Sequence, residues 1–152
     1  MYPWQIKHTR LIKPTIGSVL DLCAENYHLF RRLVPVIIDL PKDYSVMTEH
    51  ESRLYLKILE QTPYTTVVHL TFCFDIDGDK HLDPDAVFRL YHDARELDVI
   101  SIKQDTLPYL PNYIAPSLED KWKLNTFVSK WLRYLLAEDY SFVAKKVAAS
   151  LI

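Results

Sequence analysis

The segment from Arg53 to Phe74 constrains the fold more than any other part of the chain. Leu54, Leu56 and Ile58 alternate with Arg53, Tyr55 and Lys57, and Val68, Leu70, Phe72 and Phe74 alternate with Val67, His69, Thr71 and Cys73. Successive strand side chains point to opposite faces, so a period of two predicts strands with one buried and one wetter face. Gln61-Thr62-Pro63 between the runs supplies a turn, and the two runs read as a hairpin. The centre of the fold is therefore an antiparallel sheet. Alternation, rather than continuous apolar runs, predicts helices on one face only.

The remaining elements follow from caps and punctuation. Residues 1–14 form an arm ahead of Ser18, which reads as an N-cap with Asp21 three residues on. Val19, Leu22, Cys23, Asn26, Leu29, Phe30 and Leu33 then recur at helical spacing, and Pro35 stops the helix. Val36 to Asp43 reads as irregular, Tyr44–Thr48 as a short strand, and Asp75 to Asp85 as a polar loop. Val87–His92 and Leu97–Lys103 read as two further strands. Pro108, Pro111 and Pro116 keep the next segment extended. Ser117-Leu118-Glu119-Asp120 opens a helix carrying Trp122, Asn125, Val128, Trp131, Leu132, Leu135 and Leu136 on one side. Asp139 or Ser141 opens a last helix over residues 139–152. The expected architecture is α+β: one domain over residues 1–152, with a mostly antiparallel five-strand meander, an N-terminal helix and two C-terminal helices packed on one face.

Composition removes several function classes. A formal charge of −2 produces no field to recruit nucleic acid or an anionic membrane. Gly17 and Gly78 are the only glycines, which excludes a Gly-rich phosphate loop and a dinucleotide fingerprint. Cys23 and Cys73 sit among apolar neighbours and read as reduced buried thiols. The first residues carry no basic-then-apolar leader, and no apolar run approaches the roughly 18 residues of a membrane span, so the expected location is cytoplasmic.

Four groups of residues invite chemistry. Asp75, Asp77, Asp79 and Asp83 place carboxylates at calcium-loop spacing, but glycine stands at the fourth position and Ala86 where a bidentate Glu belongs. An acidic hairpin turn is the preferred reading, with no metal. His92 beside Asp93 suggests an oriented base, although neighbours on a strand face opposite ways. Arg31 and Arg32 suit the negative end of a helix, or an anion clamp. Arg133 lies between Trp131 and Tyr134, where stacking alone explains it. His69 and Cys73 share a strand face but stand about 13 Å apart, too far for one metal. No zinc spacing, catalytic triad or cofactor motif is present in the sequence.

Four segments together resemble the YqiB-like family of small bacterial proteins, a domain of unknown function. They are Asn26-Tyr27-His28-Leu29-Phe30-Arg31-Arg32-Leu33-Val34-Pro35, Tyr64-Thr65-Thr66-Val67-Val68, Arg89-Leu90-Tyr91-His92-Asp93-Ala94 and Trp131-Leu132-Arg133-Tyr134-Leu135-Leu136-Ala137. The resemblance spans Ser18 to Ala137, leaving the arm, the last helix and the acidic loop outside it. It implies a cytosolic bacterial protein without an established activity. It draws attention to Arg31, Arg32, Tyr64, Thr66, Tyr91, His92, Asp93 and Arg133 as a ligand site, with Arg32, His92 and Arg133 converging at one end of the sheet. The leading expectation is a non-enzymatic binding or adaptor domain for a protein partner or small anionic ligand, able to form a homodimer. An enzyme acting on a small anion or nucleotide, with His92 as base and arginine clamps, is the alternative. A nucleic-acid-binding role is disfavoured by net charge.

Overall fold

The computed structural model describes residues 14–37, 43–47, 52–103 and 117–142. These form α1 (Ile16–Leu33), β1 (Asp43–Met47), β2 (Arg53–Gln61), β3 (Thr65–Ile76), β4 (Asp79–Tyr91), β5 (Glu96–Lys103) and α2 (Leu118–Ala137). The strands lie in sequence order, each antiparallel to the next. Strands β2 to β5 are described with their side chains, and β1 by its backbone pairing to β2.

The alternation read from the sequence becomes one apolar face. Leu54 and Leu56 of β2, Val68, Leu70 and Phe72 of β3, Ala86, Phe88 and Leu90 of β4, and Leu97 and Ile102 of β5 are buried in a single cluster. Phe30 and Leu33 of α1 and Val128, Trp131 and Leu132 of α2 complete it. Phe88 joins the layers, its ring 6.1 Å from that of Phe30 at 84° and 6.4 Å from that of Trp131. The opposite face is not uniformly wet. Val67, Thr71 and Cys73 are buried there too, because β3 is the central strand and is flanked on both sides.

Both helices open with reciprocal caps. In α1, Thr15 rather than Ser18 is the N-cap: Ser18 N donates to Thr15 Oγ1 at 3.1 Å, and Thr15 N donates to Ser18 Oγ at 2.9 Å. The expected start is thus one turn late, since a serine serves equally as cap or as the third residue of a capping box. Ser117 caps α2 as read, with Asp120 N donating to Ser117 Oγ at 3.1 Å. Where the helices meet, Asn26 Nδ2 donates to the carbonyl of Asn125 at 3.0 Å and to its Oδ1 at 3.3 Å. Cys23 reaches the same Oδ1, and burial first, then Asp98 and Glu96, pushes its thiol up to about 11. Both cysteines are free.

Two further expectations need correction. Asp75 to Asp85 is not a loop. β3 continues to Ile76 and β4 begins at Asp79, so the ribbon turns through Asp77 and Gly78 alone. Both central residues have positive φ, 51° and 87°, the backbone a tight Asp-Gly hairpin turn demands. Every residue from Asp75 to Leu82 is exposed. With neither face buried, no alternation is written into the sequence, and pairing alone carries the strand. Gly78→Ala should destabilise by about 1–2 kcal/mol purely through backbone strain, because an added Cβ there meets no atom within 4 Å. Thermal unfolding of the variant checks this.

The second correction concerns the C-terminus. The described residues hold two helices, not three. Asp139 has φ 64°, and residues 140–142 leave helical geometry as Phe142 N donates to the carbonyl of Leu33 at 2.8 Å. The rest of the expected last helix, residues 143–152, lies outside the described residues, as do residues 1–13 and 104–116. Among the described residues no helix is long and apolar enough to cross a membrane.

Candidate functional site

His92 follows the last residue of β4, at the turn into β5, and three elements meet on its ring. Its backbone N donates to the carbonyl of Tyr64 in the β2–β3 turn at 2.9 Å. Its Nδ1 lies 2.9 Å from Tyr27 Oη of α1, and its Nε2 lies 2.8 Å from Thr66 Oγ1 of β3. Tyr27 Oη accepts from Arg31 Nη1 at 3.1 Å, and Thr66 donates to Gln61 Oε1 at 2.9 Å.

The end of this chain sets every proton in it. Gln61 Nε2 donates to the carbonyl of Thr62 at 2.9 Å, so Oε1 faces Thr66. The single hydroxyl proton of Thr66 goes to that oxygen, leaving only lone pairs for His92. Nε2 of His92 therefore carries the ring proton and donates to Thr66. Nδ1 of the neutral ring accepts from Tyr27, whose oxygen accepts from Arg31. All five side chains are satisfied with His92 neutral. Burial first, then the Arg31 cation, holds the imidazole below its ordinary 6.5, and Asp93 partly opposes them. A base whose folded pKa is lowered stabilises the fold above its unfolded value and ceases to do so as pH falls through the folded one. Stability should therefore decline as pH drops below 6.5, measurable by urea unfolding across pH 5–8.

Arg31, Thr66 and His92 are thus brought together. Tyr64 adjoins them through its backbone, with a side chain 67% exposed. Arg31 also closes the end of α1, donating from Nη2 to the carbonyl of Pro35 at 2.9 Å. Tyr91 is half-buried within β4, and Arg32 and Asp93 are exposed. Arg133 is engaged elsewhere: its Nη2 pairs with Glu25 of α1 and its Nε donates to Ser129 Oγ at 3.3 Å, linking the two helices. Tyr27 and Gln61 are members that the sequence reading did not single out. Tyr27 stands one helical turn before Arg31, and that spacing was the available signal.

The acidic candidates separate. Asp75, Asp77 and Asp79 are exposed about the hairpin turn, while Asp83 is buried. Among the described residues no three His, Cys, Asp or Glu side chains are placed to hold a metal ion.

A family profile described as "Protein of unknown function (DUF1249)" matches residues 29–141. The chain is also similar to "Uncharacterized protein YqiB" of Escherichia coli strain K12. The two are 31% identical over 129 residues, covering 82% of this chain and 90% of the relative. The protein of that name in strain O157:H7 matches to the same extent. No solved structure gives a significant match.

Proposed function

This chain belongs to the DUF1249 family of proteins of unknown function, and we propose that it is a binding domain whose recognition surface is the end of the sheet around His92. The observation that carries this reading is the double engagement of His92. Both ring nitrogens are spent on Tyr27 and Thr66. A general base needs one nitrogen open to its substrate. Here the ring instead ties α1 to the turns on either side, with the Tyr64 side chain exposed beside it and Arg32 exposed near the end of α1. A preorganised surface loses little entropy on binding, and exposed tyrosine and arginine are the residue types that most often anchor partners. Arg32 favours an anionic group, carried either by a small molecule or by an acidic protein segment.

The test is a thermal-shift screen with inorganic phosphate, nucleotides and phosphorylated metabolites, alongside site-specific photo-crosslinking at Tyr64 in cells. A small ligand at 100-fold its dissociation constant adds roughly 2.7 kcal/mol of stability. A shift lost in both Arg32→Ala and Tyr64→Ala supports the small anion. A single crosslinked protein, lost in Arg32→Ala, supports an acidic partner. Absence of both results overturns the proposal.

A further inference from the structure

We propose that the sheet face turned away from the helices carries a second site, where Asp85 positions His69 as a general base for hydrolysis of a small anionic carboxylic ester. His69 lies on β3 opposite Lys57 of β2 and Val87 of β4, and Thr71 lies opposite Asp85. All point away from the helices. Asp85 Oδ1 accepts from His69 Nε2 and from the Thr71 hydroxyl, the latter at 2.9 Å, and Thr71 Oγ1 stands 3.2 Å from the same Nε2.

A carboxylate only accepts, so Nε2 of neutral His69 must carry the proton, and the basic lone pair resides on Nδ1. Among the described residues Nδ1 has no hydrogen-bond partner. The side chain is 36% exposed. This is the reverse of His92, whose two nitrogens are both occupied. A carboxylate that holds one nitrogen while the other faces substrate is the arrangement that keeps a catalytic imidazole in its working tautomer.

The neighbours define the substrate. Lys57 is exposed directly across from His69 and favours a negative group. Tyr55, opposite Thr71 and 40% exposed, offers an aromatic surface beside it. In the reaction a water oxygen bonds to the ester carbonyl carbon as its proton passes to Nδ1. Asp85 stabilises the imidazolium. The bond from carbon to the leaving oxygen then breaks, and that oxygen takes the proton from Nδ1. The products are a carboxylic acid and an alcohol, with His69 neutral again.

The probe is 4-acetoxybenzoate, an aryl ester bearing a carboxylate, with neutral phenyl acetate for comparison. The protein should hydrolyse the anionic ester about 100-fold faster than His69→Gln does, and prefer it to the neutral one. His81→Gln, remote on the ribbon, should retain the rate. Nitrogen NMR should show His69 as the Nε2–H tautomer in the parent protein and as a mixture in Asp85→Asn, with the ester rate falling in that variant. Equal rates in the parent and His69→Gln, or an Nδ1–H tautomer in the parent, would overturn the proposal. The tautomer measurement needs no turnover and stands even if one variant folds poorly.

Discussion

Replacing Phe88 by alanine should lower the free energy of unfolding by about 3–5 kcal/mol, the largest effect expected of any single substitution described here. The ring is fully buried, and it touches Phe30 of α1 and Trp131 of α2 from β4. Its removal opens a cavity where the sheet and both helices meet. No layer can close that space without leaving its other contacts, since interiors are packed as densely as crystals. For a domain stable by about 5–15 kcal/mol, roughly a fifth or more of the total is at stake. Urea unfolding should show a lower midpoint with an unchanged slope. A loss under about 1 kcal/mol would mean that the helices repack freely and that Phe88 is not the joint it appears from the ring geometry.

Tyr27→Phe should cost about 1–3 kcal/mol, because the hydroxyl serves two partners at once. Without it, His92 Nδ1 faces no donor and Arg31 Nη1 loses its acceptor. The variant has a second signature. The Tyr27 hydroxyl donates to the unprotonated Nδ1 and so favours neutral His92. Removing it relaxes the preference, and the decline of stability below pH 6.5 should become shallower. Urea unfolding at pH 5 and pH 8 separates the two effects. An unchanged pH dependence would mean that Tyr27 is not the donor to His92.

Legibility tracked burial. Leu54 to Ile58 and Val68 to Phe72 announced their strands because one face is sealed against helices, which imposes a period of two. Trp131, Leu132 and Leu135 announced α2 for the same reason at the helical period. The Asp79–Leu82 end of β4 was silent because neither of its faces is buried. Its only local marker was Asp77-Gly78, which sets the turn and not the length of the ribbon.

The candidate sites show the same division. Arg31, Thr66 and His92 were visible one at a time, through residue type and through the segments that carry the family resemblance. Their meeting was not visible, because 65 residues separate Tyr27 from His92 and 26 separate Thr66 from His92. Arg133 was visible in the same way, yet its guanidinium is directed to Glu25. His69 and Asp85 were separated by a hairpin misread as a loop, which hid the register that places them together.

By itself the sequence determined the class of fold, the antiparallel centre, the cap of α2 and the apolar stripe of each helix. All of these follow from local spacing, because burial repeats with the period of the backbone. Only the tertiary structure decided which polar side chains share a site, which nitrogen of His92 carries its proton, and which arginine belongs to the helix interface. Those outcomes depend on atoms a few ångströms apart in space and dozens of residues apart in the chain, and hydrogen-bond geometry at that range has no period to read.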